Sequence, residues 1–423
     1  MNIFTERESD IRAYARVYPV VFDKASNARM TDEDGKEYID FFAGAGVLNF
    51  GHNNEQMIKA VVDYLQSGGI LHSLDLHTTA KRDFMEAFTK TILEPRGMAH
   101  KLQFMGPTGT NSVEAALKLA RRVTGREEVV AFTKGFHGMT LGALACTANQ
   151  VFRNAAGVSL ENVARMPFGC ETPCQGCELG CGLASLDDMA AKYRESSSGI
   201  KPPAAFLVET IQAEGGVNVA SAAWLEKLGA IAKEFGSLLI VDDIQVGCGR
   251  TGNYFSFDGI DIDPDIVCLA KGIGGLGTPL AMNLVKPEHD QHWKPGEHTG
   301  TFRGQNISFI AGREALKFFD NDTLMNEVHA KTEIINQALA PLAQHAGIQL
   351  RGKGMVAGLD MGDGVRARSI IDICFAQGLV VTACGSEGRV LKIIPPLTIS
   401  EADLKAGLQI LVEATESTLA EAA

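Results

Sequence analysis

Four short apolar runs constrain this chain more than any other feature: "EVVAFT" (128–133), "AAFLVET" (204–210), "LLIVDD" (238–243) and "DIVCLAK" (265–271). Polar or glycine residues stop each of them. Around them lie stretches of helical period such as "SVEAALKLARRVTG" and "AAWLEKLGAIAKEFG". Alternation of this kind specifies β-α-β units around a mostly parallel sheet covered on both faces, an α/β fold. Such sheets place ligands at the carboxyl ends of their strands.

The chain's 423 residues, 45% of them hydrophobic, are enough for a large core and two domains. "RMTDEDGKEYIDFFAG" reads as a small hairpin turning at "DEDG". The tail from about residue 325 has helices of its own and a strand, "VLKII", stopped by "PPLT". The expected division is a small domain built from residues 1–58 and 325–423, flanking a large domain over 59–324. No apolar run is long enough to span a bilayer, and "MNIFTERESD" carries acids where a secretory signal needs basic then apolar residues. The expected location is the cytoplasm. A net charge of −12 repels nucleic acid and anionic membrane, which leaves small molecules as partners.

Two aspartates end the third run: Asp242 falls where the crevice of the sheet opens, and Asp243 should point the other way, with Arg250 of "GRTG" a candidate partner for it. A carboxylate there needs a cationic or strongly donating partner. "GCGRTG" matches G-x-G-x-x-G, but a dinucleotide loop must open a helix, and the aromatic "NYFSFDG" that follows does not. Lys271 closes the fourth run and precedes four glycines in six residues. It reads either as an ordinary strand-end lysine or as an amine of lowered pKa that attacks carbonyls. "GPTGTNSVEAALKLARR" places Gly106, Gly109, Thr110 and small polar residues before an amphipathic helix. This is either a phosphate cradle or a helix capped by Asn111 or Ser112 with Glu114 following. An acid, a lysine and a phosphate cradle together are what pyridoxal 5'-phosphate requires, with Phe136 of "GFHGMT" available to stack on its ring.

Nine cysteines without an export signal argue against a disulfide framework. Cys170, Cys174, Cys177 and Cys181 cluster in "CETPCQGCELGC". That spacing fits either a zinc or iron-sulfur site or, by preference, a reduced surface loop without metal.

From "DEDGKEYIDFFAGAGVLNFGH" through "GPTGTNSVEAALKLAR", "FHGMTLGAL", "VETIQAEGG", "LLIVDDIQVGCGRTG" and "AKGIGG" to "TGTFRGQN" and "VLKIIPPLT", the chain resembles the class III (omega-type) aminotransferases of fold type I. The resemblance implies a seven-stranded, mostly parallel sheet between helices plus a smaller α+β domain. It implies Lys271 as Schiff-base lysine and general base, and Asp242 as partner of the pyridinium nitrogen. Gln245 would neighbour the phenolic oxygen, Gly109 and Thr110 would hold the phosphate, Phe136 would stack on the ring, and Glu209 would support this network. Thr301 would reach the cofactor of a partner subunit, which implies a homodimer with shared active sites. Met139 after "FHG" and Lys392 before "PPLT" replace two arginines of the 4-aminobutyrate type, so carboxylate recognition must differ.

Both replacements, with "GGILHSLDLHT" and "WKPGEHTGTFRGQN", resemble the ectoine-pathway diaminobutyrate:2-oxoglutarate aminotransferases. That branch implies amino transfer from L-glutamate to L-aspartate 4-semialdehyde, with Glu214 pairing with Lys392 at the substrate end. "AKGIGGLGTP" and the cysteine loop depart from its pattern. The alternatives are another omega-aminotransferase with a different donor, a cofactor-dependent aminomutase or racemase, and a non-catalytic cofactor-binding relative.

Overall fold

The computed structural model describes residues 3–169 and 182–421. At its centre is a seven-stranded sheet of β1 (Lys101–Phe104), β2 (Val129–Phe132), β3 (Val163–Met166), β4 (Ala205–Val208), β5 (Leu238–Asp242), β6 (Ile266–Leu269) and β7 (Met282–Val285). Their order across the sheet is 1-7-6-5-4-2-3. The neighbours from β6 through β3 pair in parallel, and β7 runs antiparallel to both β6 and β1.

Alternation along the strands builds two cores. Leu239, Val241, Val267 and Leu269 face one side with Phe84, Phe88 and Trp224. Ile240, Ile266 and Cys268 face the other with Val113, Leu117 and Ala120 of helix α1 (Gly109–Thr124). Every residue of β2, β4, β5, β6 and β7 is buried, as a sheet covered on both faces demands.

Both chain ends build a second region. Phe22–Ser26, Arg29–Asp32 and Glu37–Asp40 form an antiparallel ladder that Leu379–Val380 joins in parallel. The turn at "DEDG" is tied by Asp32 Oδ1, which accepts the N–H groups of Asp34 and Lys36. A third core combines Tyr38, Phe41 and Met57 with Val328, Leu359, Ile370 and Leu408. The tail holds more strands than "VLKII": Gln349–Lys353, Val356–Asp360, Thr382–Cys384 and Val390–Ile393 form one sheet. These pieces have three to five residues, some broken by glycine, too short for a period to register in sequence. The expected boundaries at 58/59 and 324/325 fall inside helices Glu55–Gln66 and Thr323–Leu339. The first of these helices serves two cores, Met57 in the small one and Ala60 and Tyr64 against the large one. No described helix is long and apolar enough to cross a membrane.

Candidate active site

Three adjacent strands deliver three ionisable groups to one end of the sheet. Glu209 follows β4, Asp242 ends β5, and Lys271 lies two residues past β6. Lys271 opens a 3-10 turn, Lys271–Gly274, with φ of 52°, a left-handed backbone that non-glycine residues seldom adopt. Burial lowers its amine to about 8, although Glu214 pulls upward. Glu209 Oε2 accepts the Phe136 N–H at 3.1 Å, and burial, with Asp242 second, pushes this carboxyl well above its usual range.

Asp242 is buried and held on both oxygens. Oδ1 accepts the Ile244 N–H at 3.2 Å, and Oδ2 lies 2.8 Å from Nδ1 of His137, itself buried. His137 is a site residue that the sequence reading passed over. The signal was its place inside "GFHG", one residue after the aromatic.

Asp243 points away, as strand alternation requires. Arg250, expected as its partner, is not. Asp243 Oδ1 accepts the Ser256 hydroxyl and Oδ2 the Ser256 N–H at 3.2 Å, and burial pushes the carboxyl up to about 8. The Arg250 guanidinium is fully buried and donates to the carbonyls of Met355 and Pro395 and to Asn49 Oδ1. A buried guanidinium has five N–H groups to satisfy; these oxygens take three of them, and the buried Nε has no hydrogen-bond partner among the described residues.

The cradle differs in detail from the capping expectation. Helix α1 starts at Gly109 after an extended Thr108, so neither Asn111 nor Ser112 is its cap. Asn111 Nδ2 donates to Thr108 Oγ1 at 2.8 Å, and Ser112 turns into the core to Asn283. Gly109 and Thr110 lie in the first turn, where N–H groups have no intrahelical partner and suit an anion. The Thr110 and Thr140 hydroxyls lie 2.6 Å apart, and the Thr140 hydroxyl donates to Glu114 Oε1 at 2.6 Å. Space is reserved here: a Cβ on Gly109 would come within 3.0 Å of Ile244, and one on Gly138 within 2.3 Å of Thr110 Oγ1.

These elements enclose a cavity of about 270 Å³ lined by Gly109, Thr110, Phe136, Met139, Glu209, Glu214, Asp242, Gln245 and Lys271. At its wall Lys392 Nζ donates to Glu214 Oε1, as expected of this pair. Burial acts against both charges. Lys392 and Lys271 outweigh it for Glu214, which falls to about 2, and Glu214 outweighs it for Lys392, which is held above the usual lysine range. A larger cavity of about 1220 Å³, between segments 75–94 and 290–303, contains none of these groups. Thr301 is exposed and does not line the site; its carbonyl accepts from His72 Nε2 at 2.8 Å. The cysteine loop 170–181 lies outside the described residues, and among those described no cluster of metal-ligating side chains occurs.

The model of the family "Aminotransferase class-III" matches residues 12–415. The chain is a class III aminotransferase. It is 48% identical to a diaminobutyrate–2-oxoglutarate transaminase of Wolinella succinogenes, over 100% of this chain and 97% of that one. It is 49% identical to one of Nocardia farcinica, over 98% and 94%. An uncharacterized aminotransferase of Sinorhizobium fredii, y4qG, is 47% identical over 98% and 92%. The fold matches that of ornithine aminotransferase from Toxoplasma gondii with a TM-score of 0.84 at 23% identity, covering 99% of this chain and 94% of that one.

Class III aminotransferases use pyridoxal 5'-phosphate, and the aminotransferase site described here fits it. Gln245 Oε1 is buried and unpartnered at the cavity wall, an acceptor awaiting a ligand. A lysine of lowered pKa, a buried donor-held aspartate and free N–H groups at a helix start match an aldehyde, a ring nitrogen and a phosphate.

Proposed function

We propose that this aminotransferase moves the amino group of L-glutamate to L-aspartate 4-semialdehyde, giving 2-oxoglutarate and L-2,4-diaminobutyrate, as in ectoine synthesis. The observation that carries the reading is the closed Glu214–Lys392 pair at the wall of the cavity. A lysine offers a point charge to a carboxylate of glutamate, without the fork of a guanidinium. When the other substrate reacts at an aldehyde carbon that bears no carboxylate, Glu214 covers the lysine, so one pocket serves both. The identity of 44–49% over nearly the whole length to diaminobutyrate–2-oxoglutarate transaminases supports the same pair of substrates.

Bound cofactor supplies the electron sink for the pair left when the substrate's α-proton departs. Lys271 would hold the cofactor's aldehyde and, once an incoming amine has freed it, would serve as the base for the proton on the substrate Cα. Asp242, aimed by His137, would pair with the ring nitrogen; Gly109 and Thr110 would hold the phosphate; Phe136 would stack on the ring; Glu209 would back the network; and Gln245 would neighbour the phenolic oxygen. Thr301 would meet the cofactor of a partner subunit in a cytoplasmic homodimer.

The test is the visible spectrum of the holoenzyme titrated with L-glutamate and then with L-aspartate 4-semialdehyde. The absorbance of lysine-bound cofactor bleaches with the first and returns with the second. Recovery that is better with another aldehyde overturns the substrate pair.

A further inference from the structure

Two hydroxyls, those of Thr108 and Thr110, border the cavity where helix α1 begins, and the hydrogen-bond network gives their protons opposite fates. Thr110 Oγ1 lies 2.6 Å from Thr140 Oγ1, and the Thr140 hydroxyl donates to Glu114 Oε1 at 2.6 Å. A carboxylate only accepts, so the single proton of Thr140 belongs to Glu114. The bond between the two threonines then needs the proton of Thr110. The Thr140 N–H agrees with that direction, since it meets Thr110 Oγ1 as an acceptor at 3.3 Å. Glu114 is itself held, its Oε1 also accepting the Ala143 N–H at 3.0 Å. Thr110 can therefore offer an anion its N–H in the first helical turn, but not its hydroxyl proton.

Thr108 is arranged the other way. It is the residue before the helix, where a threonine side chain ordinarily accepts an N–H of the first turn, and here it caps none of them. Its Oγ1 accepts Asn111 Nδ2 at 2.8 Å instead. That bond fills a lone pair and spares the proton, for which no acceptor occurs among the described residues. The Thr108 carbonyl takes over the capping, accepting the N–H groups of Asn111 at 3.0 Å and Ser112 at 3.3 Å. The N–H groups of Gly109 and Thr110 stay open, and the Thr108 hydroxyl borders the same cavity.

We propose that Thr108 is the side-chain hydroxyl that donates to the cofactor's phosphate, while Thr110 serves that phosphate through its N–H alone and spends its hydroxyl on the chain through Thr140 to Glu114. This rests on the placement of the cofactor given above. Ionised phosphate oxygens only accept, so they bind where protons point outward: the two N–H groups and the Thr108 hydroxyl. Glu114 keeps the other hydroxyl turned toward the segment that carries Phe136 and His137, and so ties that segment to the helix.

The test compares pyridoxal 5'-phosphate with pyridoxal, which lacks the phosphate, each titrated into the cofactor-free chain and followed by its visible band. The ratio of the two affinities cancels the ring and aldehyde contacts and reads the phosphate alone. Thr108→Val should lower that ratio about tenfold or more, the loss of one hydrogen bond to a charged acceptor, with pyridoxal affinity unchanged within about twofold. Thr108→Ala should do the same should the valine variant not fold, and Thr108→Ser, which keeps the hydroxyl, should hold the ratio near wild type. Thr110→Val keeps the N–H and loses only the bond to Thr140, so the ratio should stay within about threefold. A loss in Thr110→Val as large as that in Thr108→Val overturns the proposal. So does an unchanged ratio in the Thr108 variants, or an equal fall in both affinities, which is what a merely structural threonine would give. The placement of the cofactor falls to a different result, wild-type chain that binds pyridoxal as tightly as pyridoxal 5'-phosphate.

Discussion

The lowered pKa of Lys271 makes the site costly to fold, and the cost can be measured. A fall from 10.5 to about 8 corresponds to about 3 kcal/mol against the charged amine. In the unfolded chain the lysine keeps its proton to near 10.5; in the folded cofactor-free protein it releases it at about 8. Between those values the unfolded state binds more protons, so stability rises with pH, and below 8 the whole cost is present. Lys271→Met should therefore stabilise the cofactor-free protein at pH 7 by up to about 3 kcal/mol, a gain that shrinks as pH climbs from 8 to 10.5. That figure is an upper limit because the side chain is only part-buried and opens to the cavity. Urea denaturation of both forms at pH 7 and pH 9.5 reads the difference. The same pKa makes about a quarter of Lys271 neutral at pH 7.5, against about 0.1% for an ordinary lysine. Capture of pyridoxal 5'-phosphate, followed by its visible band, should show a midpoint near 8. A variant no more stable at pH 7, or a capture midpoint near 10.5, would refute the argument.

Gly138→Ala puts a Cβ 2.3 Å from Thr110 Oγ1 at a φ of +129°, and equilibrium dialysis should show cofactor held about tenfold more weakly or worse. His137→Leu removes the bond to Asp242 Oδ2; at about 1.5–3 kcal/mol for a charged acceptor, cofactor dissociation should speed by about tenfold or more. His137→Asn, which can still donate, should recover most of the loss in the same stopped-flow trace. Asp243→Asn should keep the cofactor spectrum and most of kcat, because a carboxyl pushed up to about 8 is already largely neutral at pH 7; a loss as large as that of Asp242→Asn would sink this division of labour.

Four strands of the large sheet, β2, β4, β5 and β6, were legible because they are continuous apolar runs ended by polar residues. Lys271 and Asp242 were legible as chemistry misplaced at the ends of such runs. Apart from "VLKII", the short tail strands were not, since their partners lie far away in sequence: Ala357 pairs with Ile393, and Leu379 with Ile39. Arg250 misled for a related reason. Seven residues from Asp243 it looked like an ion-pair partner, yet its oxygens come from Asn49, Met355 and Pro395, which no local pattern brings near. His137 was hidden inside a motif read for its aromatic neighbour.

What no reading of single strands supplies is adjacency. Glu209, Asp242 and Lys271 meet because β4, β5 and β6 are neighbours in the sheet, and neighbouring strands lie only about 4.8 Å apart. That spacing would be ruinous for three full charges out of water. Burial resolves it by moving Glu209 up and Lys271 down, each toward its neutral form. Asp242, between them, meets donors on both oxygens, His137 Nδ1 on one side and the Ile244 N–H on the other. The crevice thus sets a donor-held aspartate in the strand next to a readily deprotonated amine. Topology sets their separation, and burial moves Glu209 and Lys271 toward their neutral forms.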